Sequence, residues 1–212
     1  MKASIKSKVV LAALTAALLG ASTLSAVGAE SAASVAQKGL AELAKGVYST
    51  GPNGEKAAAA SSLKFTAAEL TKLKGMNATA AISFHLTSDW TSGQQAGLTK
   101  RFGELGIKIV GVTQADFKAD VQVSQIQTLM AKKPNILVSI PVDGQATAGA
   151  YKAAAAAGAK IVFMDNTAAG LAVGKDYVSV VSADNYANGA ASAYILGREL
   201  NGKGTIALIY HA

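Results

Sequence analysis

Cysteine is absent from this 212-residue chain. That excludes disulfides, thiolate metal sites and a cysteine nucleophile, and it leaves no cysteine to carry a lipid anchor at the start of a processed chain. Histidine occurs twice, at His85 and His211. Two histidines far apart in sequence give poor support to a zinc centre. Aromatic residues make up 6% of the chain and tryptophan occurs once, as Trp90. Acidic residues number 13 against 20 basic ones, for a formal charge of +7. Three of those charges are Lys2, Lys6 and Lys8, and no acid falls within residues 1–29, so the remainder carries +4. Its lysines are scattered and not interleaved with aromatics, which argues against a nucleic-acid partner. Signature loops are missing as well. No G-x-G-x-x-G follows the first strand candidate, and no G-x-x-x-x-G-K-[ST] occurs, so no nucleotide cofactor is expected. No G-x-S-x-G elbow presents a serine nucleophile. The first strand does not end in the acidic pair that a phosphoacceptor site would need, and no acid–base pair is suitably placed for catalysis.

What is present is the material of a globular protein: 50% hydrophobic and 16% charged residues. The N-terminus has the order of an export signal. Three lysines precede an apolar run, Val9 to Leu19, too short to span a bilayer, and Val27, Gly28 and Ala29 offer small residues for cleavage before Glu30. Residues 1–29 are therefore expected to be a signal peptide and the mature protein exported. Residues 30–77 are expected to form a loosely ordered lead with short helices. Within it, Thr66-Ala67-Ala68-Glu69 matches a capping box and predicts a helix ending near Lys74.

From Ala78 the pattern changes to alternating strands and helices. Strands are expected at 79–85, 107–112, 136–140, 161–164, 177–182 and 205–210, and helices near 92–105, 119–132, 145–157 and 186–200. Leu98, Phe102 and Leu105 share one helical face, as do Val123, Ile126 and Met130. The runs ILVSI and IVFM are almost continuously apolar, as parallel strands covered on both sides must be. The expected fold is an α/β, doubly wound, mostly parallel sheet.

In such a sheet ligands bind outside the carboxyl ends of the strands. Those ends carry His85, Thr87, Ser88, Asp89 and Trp90; Thr113, Gln114 and Asp116; Pro141 and Asp143; Asp165 and Asn166; Asp184 and Asn185; and His211. Acids, amides, hydroxyls and one large aromatic suit a neutral polyhydroxyl ligand. The C–H face of a sugar stacks on an aromatic ring, and a carboxylate makes charge-assisted bonds to its hydroxyls. Trp90 with Asp165 is a minimal set of that kind, and Asp165 is the strongest candidate because it ends an apolar strand abruptly. Plainer roles stand beside these. Trp90 could pack in a core, Asp89 and Asp184 could cap the helices that follow them, Asp143 could order its loop, and His85 and His211 could be structural.

Residues 78–212 resemble the first lobe of type I periplasmic sugar-binding proteins, the ribose-binding group being closest. The likeness rests on LTSDWTSG, on ILVSIPVDGQATAGAYKAAAAAGAKIVFMDN and on VVSADNYANG. It implies that Trp90 is one of two aromatics that sandwich a sugar and that Asp165 binds sugar hydroxyls, with Asn166, Asp89, Ser88, His85 and His211 as further ligand candidates. Thr91 stands where the family often has a second ring, Asn166 where it has arginine, and Ile140 where it has asparagine. These departures point to a ligand other than ribose. The resemblance also implies a non-enzymatic solute-binding component of an ABC importer. Its partners would be a sugar or polyol in an interlobe cleft and a permease in the inner membrane. A sensor that presents its loaded state to a chemoreceptor or kinase is the alternative. On this reading residues 78–204 are the N-terminal lobe, residues 205–212 are a crossing strand toward an absent second lobe, and the chain is expected to be truncated after its first lobe.

Overall fold

The computed structural model describes residues 30–209; the expected signal peptide and His211 lie outside the described residues. The lead contains α1 (Ala32–Leu43), a single 3-10 turn at Ala60–Ser62, and α2 (Ala67–Gly75). The capping box is formed. Thr66 Oγ1 accepts from the Glu69 amide at 3.2 Å, and the Glu69 carboxylate accepts from the Thr66 amide at 2.7 Å. Each end thus satisfies an amide that the helix start would leave orphaned.

The remainder alternates β1 (Thr79–Phe84), α3 (Asp89–Glu104), β2 (Lys108–Gln114), α4 (Ala119–Met130), β3 (Ile136–Ser139), α5 (Ala148–Ala156) and β4 (Lys160–Met164). It closes with β5 (Ser179–Val181) and α6 (Asn185–Glu199). The sheet order is β2-β1-β3-β4-β5 and every ladder is parallel. This is the doubly wound α/β fold expected from the sequence. The chain turns outward in opposite directions from β1, to β2 on one side and β3 on the other. That reversal leaves a crevice at the carboxyl edge of the sheet.

Strand alternation divides the core between two faces. On one face Ala81, Leu137, Ile161 and Phe163 pack against Ile126 and Leu129 of α4 and Tyr151 and Ala154 of α5. Phe163 is fully buried and meets Tyr151 and Tyr177 edge-on, with ring centroids 4.9 and 5.4 Å away. The Tyr151 hydroxyl lies 2.7 Å from Ser139 Oγ, which donates to the Ser83 carbonyl, so Tyr151 is the donor in that pair. Burial pushes the Tyr151 phenol far up from its ordinary pKa, and the bond to Ser139 only partly opposes this. On the other face Ile82, Phe84, Val138, Ile140 and Met164 meet Leu98 and Phe102 of α3. Fully buried Gln122 of α4 donates to the Ile140 carbonyl at 2.8 Å and accepts from the Val142 amide at 2.7 Å, which pins the loop after β3 to the helix layer.

Two expectations change. Residues 205–209 form no strand. Ile206, Leu208 and Ile209 are 63%, 83% and 96% exposed, and among the described residues nothing pairs with them. An apolar β-prone run becomes a strand only where a neighbouring ladder accepts it. The segment at 177–182 shrinks to three paired residues because Tyr177 turns into the core against Phe163. The lead also holds more order than its composition suggests. α1 lies along α6, so close at Gly39 that a Cβ there would overlap the Tyr194 ring.

Candidate ligand cleft

The loop after β1 ends at Ser88, whose hydroxyl accepts from the Thr91 amide at 3.2 Å and caps α3. Thr91 Oγ1 returns the bond by accepting from the Ser88 amide at 2.8 Å. The cap is therefore Ser88, and Asp89 is the first helical residue, placed where its charge meets the positive end of the helix. Thr91 is 1% exposed and committed to the capping box. Its position points into the protein, so a ring there would have no path to a ligand. The second residue of α3, Trp90, stands half exposed instead.

Trp90 and Asp165 line one cavity of about 750 Å³. Its floor is the sheet face between α3 and α6, made by Val138, Val162 and Met164 with Leu98 and Phe102 beside them. Its polar rim is Asp165, Ser182, Asn185, Asn188 and Gln94. A mostly apolar cleft with a few convergent polar groups is the usual form of a small-molecule site. Asp165 has φ +68, a left-handed conformation that Asp adopts more readily than most residues. Its Oδ1 accepts from Ser182 Oγ at 2.9 Å and from Asn185 Nδ2 at 3.4 Å, and Asn185 Nδ2 also donates to Ser182 Oγ at 3.1 Å. The second carboxylate oxygen takes no such bond from these two residues.

His85 lies close enough to Asp165 to feel its charge. Burial lowers the imidazole pKa, and the Asp165 carboxylate pulls it back up in part. The ring of Phe117 meets His85 edge-on at 5.3 Å, and among the described residues the buried Nδ1 has no hydrogen-bond partner. Asn166 is exposed and does not line the cavity. Asp143 accepts from the Gln145 and Ala146 amides at 2.8 and 2.7 Å and so orders its own loop. The structure thus gathers Trp90 and Asp165 with His85 nearby, and leaves Ser88, Asp89 and Asn166 off the cavity lining. Ser182, Gln94 and Asn188 line the cavity without being among the residues expected from the sequence, and the sequence marks Asn185 only as a strand-end residue. Gln94 lies one turn after Trp90, and Asn188 follows Asn185 by three, so helical spacing carried the signal.

Asp184 caps α6 by accepting from the Ala187 amide at 3.0 Å. The same carboxylate accepts from the Tyr48 and Ser49 amides at 2.6 and 3.0 Å and from Ser49 Oγ at 2.7 Å. The backbone amides of Tyr48 and Ala187 lead in holding its pKa down to about 2, below the ordinary 3.8. A depressed carboxylate pKa contributes stability above the unfolded value and loses it as pH falls through the folded one. The amide resonances of Tyr48 and Ser49 are therefore expected to hold above pH 3.8 and to move as pH falls to about 2. In Asp184→Asn that movement should vanish; its persistence would assign the transition to another group.

The lobe is thus a parallel doubly wound sheet with an apolar cavity along one sheet face, whose polar rim of Asp165 and Ser182 lies just past the carboxyl ends of β4 and β5. The comparisons name the family. A profile described as "Periplasmic binding protein domain" matches residues 80–212, and the chain belongs to that family. Its fold is that of a type I periplasmic binding protein lobe, and proteins of this family bind ligands without transforming them. No curated protein matches the chain. Among solved structures it is similar to the Caulobacter myo-inositol binding protein bound to myo-inositol, at 25% identity and a TM-score of 0.50, over 59% of this chain and 41% of that one. It is similar to an ABC transporter solute-binding protein from Agrobacterium vitis bound with α-D-tagatopyranose, at 24% and 0.51, over 57% and 43%. A sugar-binding protein of a Bacillus halodurans sugar ABC transporter matches at 21% and 0.53, over 60% and 42%. The chain thus spans roughly two fifths of the length of these proteins. No helix of the described residues is long and apolar enough to cross a membrane, and none of their His, Asp and Glu side chains group as a metal site.

Proposed function

We propose that this protein is the periplasmic solute-binding component of an ABC importer, exported by residues 1–29. It holds a sugar or polyol in a cleft between this lobe and a facing one. The observation that carries the reading is the placement of Trp90 and Asp165 on one cavity. The indole supplies a flat apolar surface for the C–H face of a ring, and the carboxylate accepts from adjacent hydroxyls. Ser182 and Asn185 add neutral donors and acceptors beside that carboxylate, and Gln94 adds another on the rim, a mix suited to an uncharged ligand rather than an anion. Loaded protein would then dock on an inner-membrane permease, with lobe closure as the signal.

The test is a titration of the protein with myo-inositol, D-ribose, D-tagatose, D-allose and glycerol, by calorimetry and by Trp90 fluorescence. As the sole tryptophan, Trp90 reports on the cleft without a label. Heat release with a fluorescence change for at least one compound is the expected result. A flat response to all of them would sink the sugar assignment.

A further inference from the structure

The first turn of α6 borders the cleft, yet α6 packs on α1 and not on the sheet, and none of its residues is buried. Something other than core packing must therefore fix where Asn185 stands relative to Asp165. The lead does so through α1 along the helix and, at its first turn, through Ser49. Ser49 Oγ donates to Asp184 Oδ1 at 2.7 Å and accepts from the Tyr186 amide at 3.0 Å. The first amides of α6 are thus satisfied by its own cap residue and by a hydroxyl 137 positions upstream in the chain. Tyr48 stacks on Tyr186 with centroids 6.3 Å apart, and the Tyr48 amide fills the other Asp184 oxygen. Immediately after Asp184 comes Asn185, whose amide reaches Ser182 and Asp165.

We propose that Ser49 and Asp184 are positioning residues for the ligand site: the N-terminal segment clasps the start of α6 and so sets Asn185 and Ser182 against Asp165. The proposal rests on the cleft being the ligand site. It makes the lead part of the binding unit and not a spacer before it. Neither Ser49 nor Asp184 lines the cleft, so neither touches the ligand. They act through the two donors that orient the Asp165 carboxylate.

The test compares the full chain with Ser49→Ala and Ser49→Thr. Alanine removes the bridging hydroxyl but leaves Asp184 to cap α6, and threonine restores the hydroxyl. Two readouts are taken: the side-chain amide resonance of Asn185 without ligand, and affinity for myo-inositol, D-ribose and D-tagatose. In Ser49→Ala the Asn185 resonance should move and the affinity for the bound probe should fall about fivefold, the factor one net hydrogen bond carries. Ser49→Thr should return both towards the parent. An unchanged Asn185 resonance overturns the proposal, whatever happens to the melting temperature. So does a shifted resonance with unchanged affinity, because the clasp would then be structural only. If the parent chain binds none of the probes, the sugar reading fails, and positioning of a sugar site fails with it. A shifted and restored Asn185 resonance would in that case still show that the clasp sets α6, so the two failures remain distinct.

Discussion

Asp165→Asn is expected to cut affinity for the sugar or polyol ligand by about ten- to a hundredfold while leaving the melting temperature within a few degrees of the parent. A hydrogen bond to an ionised group contributes about 1.5–3 kcal/mol, against about 1 kcal/mol for a neutral one, and each ~1.4 kcal/mol is a factor of ten in binding. The asparagine amide keeps one acceptor for Ser182 and replaces the other carboxylate oxygen by a donor, so a ligand hydroxyl loses its charged acceptor. Asparagine is also the substitution that isolates this effect. At φ +68 the backbone is left-handed, and Asn tolerates that region nearly as Asp does, whereas alanine would add about 1–2 kcal/mol of strain. Calorimetry beside thermal denaturation separates the two quantities. An unchanged affinity would remove Asp165 from the site and with it the main support for a polyhydroxyl ligand.

The second large effect concerns the scaffold. Phe163→Ala should destabilise the protein by about 3–5 kcal/mol, the range for deleting a buried aromatic. At about 2–4 °C per kcal/mol for a chain of this size, the melting temperature should fall by roughly 6–20 °C. Phe163 is fully buried and holds edge-on contacts with both Tyr151 and Tyr177. Its neighbours include Ile161 and Leu137 on the rigid central strands, which cannot collapse to fill the space. The loss also loosens the loop that carries Tyr177 into the core and leads on to β5 and Ser182. Denaturant unfolding followed by circular dichroism measures the cost. A loss under about 1 kcal/mol would mean that the site repacks without a cavity.

The central part of the fold was legible because its signals are local. Apolar runs such as ILVS and KIVFM have the length and continuity of buried parallel strands, and the helices between them carry their periodicity openly. Thr66 and Glu69 announce a helix start through residues three apart. Legibility declined wherever a partner lies far away in sequence. The apolar run at 205–209 has every local mark of a strand, but no ladder receives it among the described residues. The segment at 32–43 carries Val35, Ala36, Leu40 and Leu43 on one helical face, but the surface that face lies on, α6, comes some 150 residues later.

The site divides in the same way. Sequence by itself determined the strand ends, and hence that Trp90 and Asp165 sit at the carboxyl edge of a parallel sheet, because alternation and chain direction follow from local pattern. Only the tertiary structure decided that Thr91 is buried while Trp90 remains in the open on the cavity that Asp165 also lines. It also decided that Ser182 and Asn185 share the Asp165 carboxylate, and that Asp184 is filled by Tyr48 and Ser49. The physical reason is that a side chain's hydrogen bonds depend on which elements meet in space. Packing sets those meetings, across 17 to 20 positions at Asp165 and 135 to 136 at Asp184, and no spacing along the chain encodes them.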